Sequence, residues 1–492
     1  MYFETINKQW GEDHRLKGSS MQDEPAFYRN LEQALDVRRQ AQYFLNLKPQ
    51  WGKEVVDLTT SDFLAVNHSG KVRQRFLDEL AQHPDFRLGA NGSRLQYGNT
   101  PYINQVEKEI ADFHGAETAF IVASAYAANL GVLSSVPLAG DALVYDELVH
   151  ASSFEGFKLS MAMHRLPFPH NDPDGLREVL VRLKKDHPEF VAGTSSILIC
   201  VESIYSMEGD VCELRELVQV AKEEFPLGNA QFVMDEAHSI GVVGDKGRGL
   251  VSYLGMEDDI AIRVHSVSKA LGSTGGVIMC KKTVRSMMLN NARSLTFTCA
   301  PSFPTVCSVR ASYQLLISGA LVEVRWCSSH GLFGELISLF FGRFGLSYTQ
   351  AQEKLQSNIK RFLTALTENP VWDEAVDEGI LSIHTLDDWE RRPFQTQIVP
   401  LFTRERHETY LFFHLLMRNF NAYPYQSPVV PKGKSRVRIV LHAYNTDEQI
   451  DELASTICDW AREVLKIDSG EAEAGLPSAA RQAYAMQRAL QS

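Results

Sequence analysis

The spacing of apolar positions changes several times along this chain. Phe27, Leu31, Leu35, Ala41 and Leu45 recur near helical spacing. That pattern predicts an amphipathic helix over residues 23–47, with Asp23 placed to cap it and Pro25 in its first turn. From residue 55 onward, short apolar runs alternate with amphipathic stretches. VVDLTT precedes a helix over 72–82, AFIVA one over 127–136, and DALVYD one near 153–163. SSILICVES leads into a helix over 214–224, and FVMDE into a glycine-spaced loop. Strands alternating with helices predict an α/β fold built on a mostly parallel, doubly wound sheet. A second block, 351–467, holds two helical runs, PFQTQIVPLF, and SRVRIVLHAY before a last helix, which predicts a smaller α+β domain.

The domain expectation is therefore an N-terminal arm and helix over 1–55, a large domain over 56–319 and a small one over 351–467. Between the last two, residues 320–350 interrupt a join that would otherwise read smoothly from YQLLISGA to AQEKLQSNIKRFL. That stretch is rich in Phe, Gly and Leu and has no clean polar face for a surface helix. We read it as an unspliced intron translated in frame, with a lineage-specific insertion as the alternative. The last residues, 468–492, are rich in Ala, Gly, Ser and Gln and are expected to be disordered.

Composition narrows the partners. A net charge of −12 over 492 residues argues against nucleic acid, whose phosphates require basic surfaces. The seven cysteines are scattered with no metal-ligand spacing, so a reduced cytoplasmic setting and no metal are expected. The first residues are not those of a secretory signal, and no apolar run reaches the ~18 residues that a membrane span needs.

The chemistry concentrates in QFVMDEAHSIGVVGDKGRGL, residues 231–250, where an apolar run ends in Asp235, Glu236 and His238. The letters DEAH suggest a nucleotide-driven helicase, but that reading needs an upstream G-x-x-x-x-G-K-[ST] loop. The chain's Gly433-Lys434-Ser435 falls far downstream, with Pro428 where the loop's first glycine belongs. The alternative is a pyridine-based cofactor at the carboxyl edge of a sheet, which needs an anion at its ring nitrogen. Asp235 supplies the anion, and His238 can reach a ring substituent. A cofactor of this kind also needs a lysine to carry it as a Schiff base. Lys269 stands in HSVSKALGSTGG, where Ser266, Ser268 and Ser273 are short donors for a phosphate and the glycines permit close backbone approach.

DEAHSIGVVGDKGRG and SVSKALGSTGG closely resemble the α-oxoamine synthases, a branch of the fold-type I pyridoxal phosphate enzymes. The likeness continues, in family order, through GANGSRLQYGNTPYINQVEKEIADFHG, SAYAAN, DELVHASSFEG, ESIYSMEGD, TFTCAP and PVVPKGKSRVRIVL. The resemblance implies the cofactor pyridoxal 5'-phosphate, with Lys269 as its attachment point and as the base for the substrate's α-proton. It further implies Asp235 as the pyridinium partner, His238 as donor to the ring hydroxyl, and His150 stacked on the ring. Ser124, Ala125 and Tyr126 would form the phosphate turn, joined by Ser266. Thr298 would reach the phosphate of a neighbouring subunit, making the enzyme a homodimer with shared sites. Glu202 and Ser206 match positions near the ring's hydroxyl face. Arg438 matches the arginine that binds the substrate carboxylate, and Arg94, Asn67 and Ser93 would line the entrance.

The implied reaction joins a small amino acid to an acyl thioester, releasing thiol and carbon dioxide and leaving an α-amino ketone. An aminotransferase or lyase on the same fold, or a non-catalytic paralogue, is the alternative; the joint presence of Lys269, Asp235 and His238 weighs against the last. Two residues depart from the family pattern. Ala125 replaces the glycine of the phosphate turn, which is costly only if its φ is positive. Ile103 stands where a histidine is expected, which points away from the biotin-pathway branch and toward a divergent, fungal-type member acting on another acyl chain.

Overall fold

The computed structural model describes residues 2–41, 44–50, 52–319, 348–387, 389–427, 429–472 and 475–489. The expected insertion, 320–350, lies outside these but for its last three residues. The backbone forms two compact units, one of residues 1–60, 357–441 and 445–492, the other of 61–356 with 442–444. The smaller unit contains β1 (Val56–Asp57).

The larger unit is organised by a seven-stranded sheet. Its strands are β2 (Thr118–Val122), β3 (Ala142–Asp146), β4 (His164–Phe168), β5 (Ile197–Glu202), β6 (Ala230–Asp235), β7 (Ile262–Ser266) and β8 (Gly276–Cys280). They lie in the order β2-β8-β7-β6-β5-β3-β4. The pairs from β7 through β4 are parallel, and β8 runs antiparallel to both β2 and β7. Every residue of β2, β5, β7 and β8 is buried, as expected of a sheet covered on both faces. Phe120, Val132, Leu143, Val264 and Ile278 belong to one apolar cluster of this core. The chain leaves β3 toward the sheet edge to reach β4 and leaves the adjacent β5 in the opposite direction to reach β6, which places a switch point at the carboxyl ends of β3 and β5. Ligands of open α/β sheets bind at such a point.

In the smaller unit, β9 (Leu381–Ser382), β10 (Ile398–Thr403), β12 (Tyr423–Tyr425) and β13 (Arg436–Val440) form an antiparallel sheet in the order β12-β13-β10-β9. β1 pairs in parallel with β11 (Phe420–Asn421).

Most helices fall where the pattern places them, at Lys71–Ala81, Ala125–Ser135, Ala151–Leu159 and Leu214–Glu224. Three expectations are corrected. The helix expected over 23–47 runs only Ala26–Gln40, with Pro25 rather than Asp23 at its N-cap position and no side-chain cap. Its apolar stripe stays outside, Phe27 being 67% and Leu31 51% exposed, and its buried residue is Arg39, held by Glu32 and Asp36. The arm 1–55 is not separate, since Tyr2 and Ile6 pack with Phe412, Phe413 and Leu416 of the smaller unit. The tail expected to be disordered carries a helix, Ser478–Ala489, whose Ala479 and Ala483 join that same cluster. Alanines there allow close helix contact rather than marking loose chain.

Candidate active site

The sheet's carboxyl edge gathers polar groups from several loops of the larger unit. After β2, Ser124 adopts an extended backbone (φ −165°, ψ 164°), and its hydroxyl accepts a bond from the Ala127 amide at 3.0 Å. It thereby caps the helix Ala125–Ser135, whose first turn offers backbone donors and the positive end of the helix dipole. Ala125 is not among the positive-φ residues, so its methyl group causes no backbone strain. Gly276, opening β8, is required by contact. A Cβ there would sit 2.6 Å from the Ser124 carbonyl carbon and 2.7 Å from the Ala125 nitrogen.

Beside this cradle, Asp235 ends β6 in register with Glu202 at the end of β5. One Asp235 oxygen accepts from Asn129 Nδ2 at 2.7 Å and the other from the Ala237 amide at 2.8 Å. Asn129 also donates to Ser152 Oγ at 3.0 Å, and Ser152 lies 2.8 Å from His150 Nδ1. The His150 amide donates to Glu202, and its ring meets Tyr126 edge-on at 6.3 Å. Burial pushes the Glu202 carboxyl well up, and Asp235 adds to this. The His150 amide and Lys269 oppose it without prevailing. His150 is pushed down by burial and by Lys269, against the pull of Asp235. These mutual influences bring His150, Glu202, Asp235 and Lys269 within electrostatic reach of one another.

Lys269 Nζ lies 2.7 Å from His238 Nε2. An ammonium can only donate, so that nitrogen of the buried His238 accepts. The His238 ring lies 6.0 Å from Phe63. Ser266 and Ser268 hydroxyls bond at 3.0 Å, whereas Ser273 is engaged with Ser308 at 2.9 Å. Gly272, at φ +62°, takes a conformation suited to glycine, and a Cβ there would meet the Asn67 amide at 3.1 Å. Asn67 thus borders the lysine loop.

Other candidates fare differently. Arg94 is corrected. It is buried in a two-pronged ion pair with Glu107 at 2.6 and 2.9 Å, donates to Asn99 at 2.8 Å, and covers the Phe120 ring, so its guanidinium is a core strut rather than an entrance group. Thr298 is exposed in the bend after Arg293–Thr296, and Ser206 is half-buried in the turn closed by Gly209 N bonding Tyr205 O. Arg438 belongs to the smaller unit, on β13, with its guanidinium 4.9 Å from the Tyr425 ring centroid. Ile103 is buried in the helix Pro101–Phe113.

Sequence reasoning missed Asn129, Ser152 and a clamp behind the loops. His170 contacts both Asp146 oxygens through Nδ1 at 3.0 Å and Asp210 through Nε2 at 3.0 Å. Burial alone would lower this imidazole, but the two carboxylates raise it to about 10, so it stays charged. From the loop after β4 it ties the end of β3 to the turn after β5. Partners so far apart in sequence leave no local signal.

The cradle that Gly276 keeps open, the Asp235 anion beyond β6 and the lysine next to an imidazole fit pyridoxal 5'-phosphate in phosphate, ring nitrogen and attachment point alike. Fold and site together define a fold-type I pyridoxal phosphate-dependent enzyme. Over residues 53–457 the chain matches the family described as Aminotransferase class I and II. It is 43% identical over 482 residues to the aminoacyl transferase sphA of Aspergillus fumigatus, covering 98% of this chain and 97% of that one. It is 37% identical over 412 residues to 8-amino-7-oxononanoate synthase of Emericella nidulans, covering 84% and 90%. The serine palmitoyltransferase of Sphingomonas wittichii shares the fold, with a TM-score of 0.64 at 22% identity over 83% of this chain and 87% of that one. The chain belongs to the aminotransferase class I and II family and, within it, to the α-oxoamine synthases; it is a pyridoxal phosphate-dependent acyltransferase. Among the described residues, no helix is long and apolar enough to cross a membrane.

Proposed function

We propose that this enzyme condenses a small amino acid with an acyl thioester, carried on coenzyme A or on a carrier protein, with loss of carbon dioxide and free thiol. The product is an α-amino ketone. The observation that carries this reading is Lys269 Nζ set against His238 Nε2 at the same sheet edge as the Asp235 carboxylate. Bound pyridoxal phosphate supplies the electron sink that makes the α-proton removable.

The chain's own groups supply attachment, orientation and proton movement. Lys269 holds the cofactor and then moves the proton at the amino acid's α-carbon, with His238 fixing the direction of its nitrogen. Asp235, steadied by Asn129 and the Ala237 amide, places a negative charge where a ring nitrogen must stay protonated. Ser124, Ala125 and Tyr126 form the phosphate cradle with Ser266, and His150 presents its ring. Glu202 and Ser206 serve the ring's hydroxyl side, and Arg438 binds the substrate carboxylate bidentately. Asn67 lines the approach. Thr298, exposed in this chain, serves the site of a second copy in a cytoplasmic homodimer. The large domain, residues 56–319, acts as the cofactor-binding body.

The test is a visible absorption titration of the purified enzyme with glycine, L-alanine and L-serine, followed by thiol release from an acyl thioester. A cofactor band that shifts with one amino acid, with thiol release that depends on it, is the expected result. Formation of a 2-oxo acid without thiol release would identify an aminotransferase instead.

A further inference from the structure

The search for chemistry outside this site ends at the opposite edge of the same sheet. Among the described residues, β4 is an edge strand paired with β3 alone and parallel to it, so its first residue, His164, lies at the amino end of the strands. The candidate catalytic residues all follow carboxyl ends. The helix Pro173–Asp186 stops at His187, which leaves the helical region (φ −137°, ψ 88°), and Pro188 starts the short turn Pro188–Val191. That corner carries Glu189 up to His164.

We propose that His164, His187 and Glu189 form a binding site for a divalent transition metal of the zinc class. One ligand atom from each residue lies within 4.8 Å of the others. The two imidazoles stand 4.1 Å apart between centroids, and His187 Nδ1 is 3.3 Å from Glu189 Oε1. His164 Nε2 is buried and makes no hydrogen bond, an unmet polar atom of the cluster. Metal–nitrogen bonds of about 2.0–2.1 Å need ligand atoms only somewhat closer than these, which side-chain rotation provides. Both rings lean on buried Phe190, with centroids 6.0 Å away, which supplies a dry wall on one side. The His187 and Glu189 side chains remain 32% and 36% exposed, so a fourth coordination position would be open to solvent. Two imidazoles and one carboxylate favour zinc, cobalt or nickel over calcium or magnesium, which prefer all-oxygen sites. The Glu189 carbonyl is bonded by the Thr194 amide at 3.0 Å and the Ser195 amide at 3.3 Å, so the backbone beneath the ligands is held. A metal here would staple the start of an edge strand with one neighbour to the corner after the adjoining helix, a structural role remote from catalysis.

The test uses tag-free holoenzyme, stripped with a chelator and desalted. Calorimetric titration with Zn²⁺ should show one site per chain and a rise of several degrees in unfolding temperature at saturation. Co²⁺ should give the ligand-field spectrum of a site with mixed nitrogen and oxygen donors. His164→Gln, His187→Gln and Glu189→Gln should each weaken binding by at least about tenfold while leaving metal-free activity unchanged. The last two alter partly exposed side chains and should fold if His164→Gln does not. Absence of Zn²⁺ binding, or binding that survives both His187→Gln and Glu189→Gln, would overturn the proposal; the second result would place the ion elsewhere in the chain.

Discussion

Glu202 and Glu236 are both buried at the ends of neighbouring strands of one sheet, yet their surroundings treat the same carboxyl group in opposite ways. Burial alone would raise Glu236. It is outweighed by the bond from His265 at 3.1 Å, by Arg263 and by the Val251 amide at 3.0 Å, so the group is held below its ordinary range. His265 in turn lies 3.2 Å from the Tyr313 hydroxyl, which completes the network inside the protein. Glu202 has burial and Asp235 acting in the same direction and rises. The core therefore answers its charges from within, while the cleft leaves charge only partly answered, to be completed by whatever binds. Asp235 and Glu236 are consecutive in the chain and fall on opposite sides of that division.

Four substitutions would sharpen or break the contrast. Lys269→Ala should cost on the order of 10⁴-fold in kcat/KM and abolish the bound-cofactor absorbance after dialysis. A variant that kept its colour and turnover would place the attachment point elsewhere. Asp235→Asn should lower kcat by about 10²- to 10³-fold with a far smaller change in KM, because it removes a charge aimed at the reacting ring and not a substrate contact. Steady-state kinetics decides this, and a change confined to KM would count against the assignment.

Glu236→Gln should leave the cofactor spectrum unchanged and cost about 3 kcal/mol of stability near neutral pH, by breaking a buried pair. The lowered folded pKa means that the native contribution is present above the unfolded value of about 4.3 and is lost as pH falls through the folded one. Urea unfolding should therefore show the variant's deficit shrinking in acid. Glu202→Gln should have the smallest effect, within about 1 kcal/mol, and of opposite pH sense. With its pKa raised, the native chain binds that proton more tightly than the unfolded chain does. Wild-type stability should consequently fall as pH rises above about 4.3, and the glutamine variant should escape that fall. Parallel pH slopes for the two variants would break the comparison.

Much of this arrangement is legible in the sequence because it is local. Alternating strands and helices announce the sheet, and the spacing from Asp235 to His238 and the setting of Lys269 announce the chemistry. The partners of those groups are not local. Asn129 reaches Asp235 across 106 positions, and His170 reaches Asp210 across 40. Arg94 reads as an entrance group from its motif, but thirteen residues on, Glu107 claims it from the next helix. The composition of the helix Ser478–Ala489 resembles loose chain, and the apolar surface of Tyr2, Ile6, Phe412, Phe413 and Leu416, distant in sequence, gives its alanines something to pack on.

The neighbourhood of Ser124 and Gly276 also bears on how the enzyme is made. β2 emerges from the ribosome long before β8, and Val122 finds its partner only when Gly276 arrives. The first strand of the sheet must therefore wait, with its edge open, through most of the synthesis of the large unit, and long-range pairings of this kind are slow and exposed to misassociation. Because Gly276 of the same late strand borders the phosphate cradle, the site for the vitamin-derived coenzyme takes its final form only when the last strand of the sheet is in place.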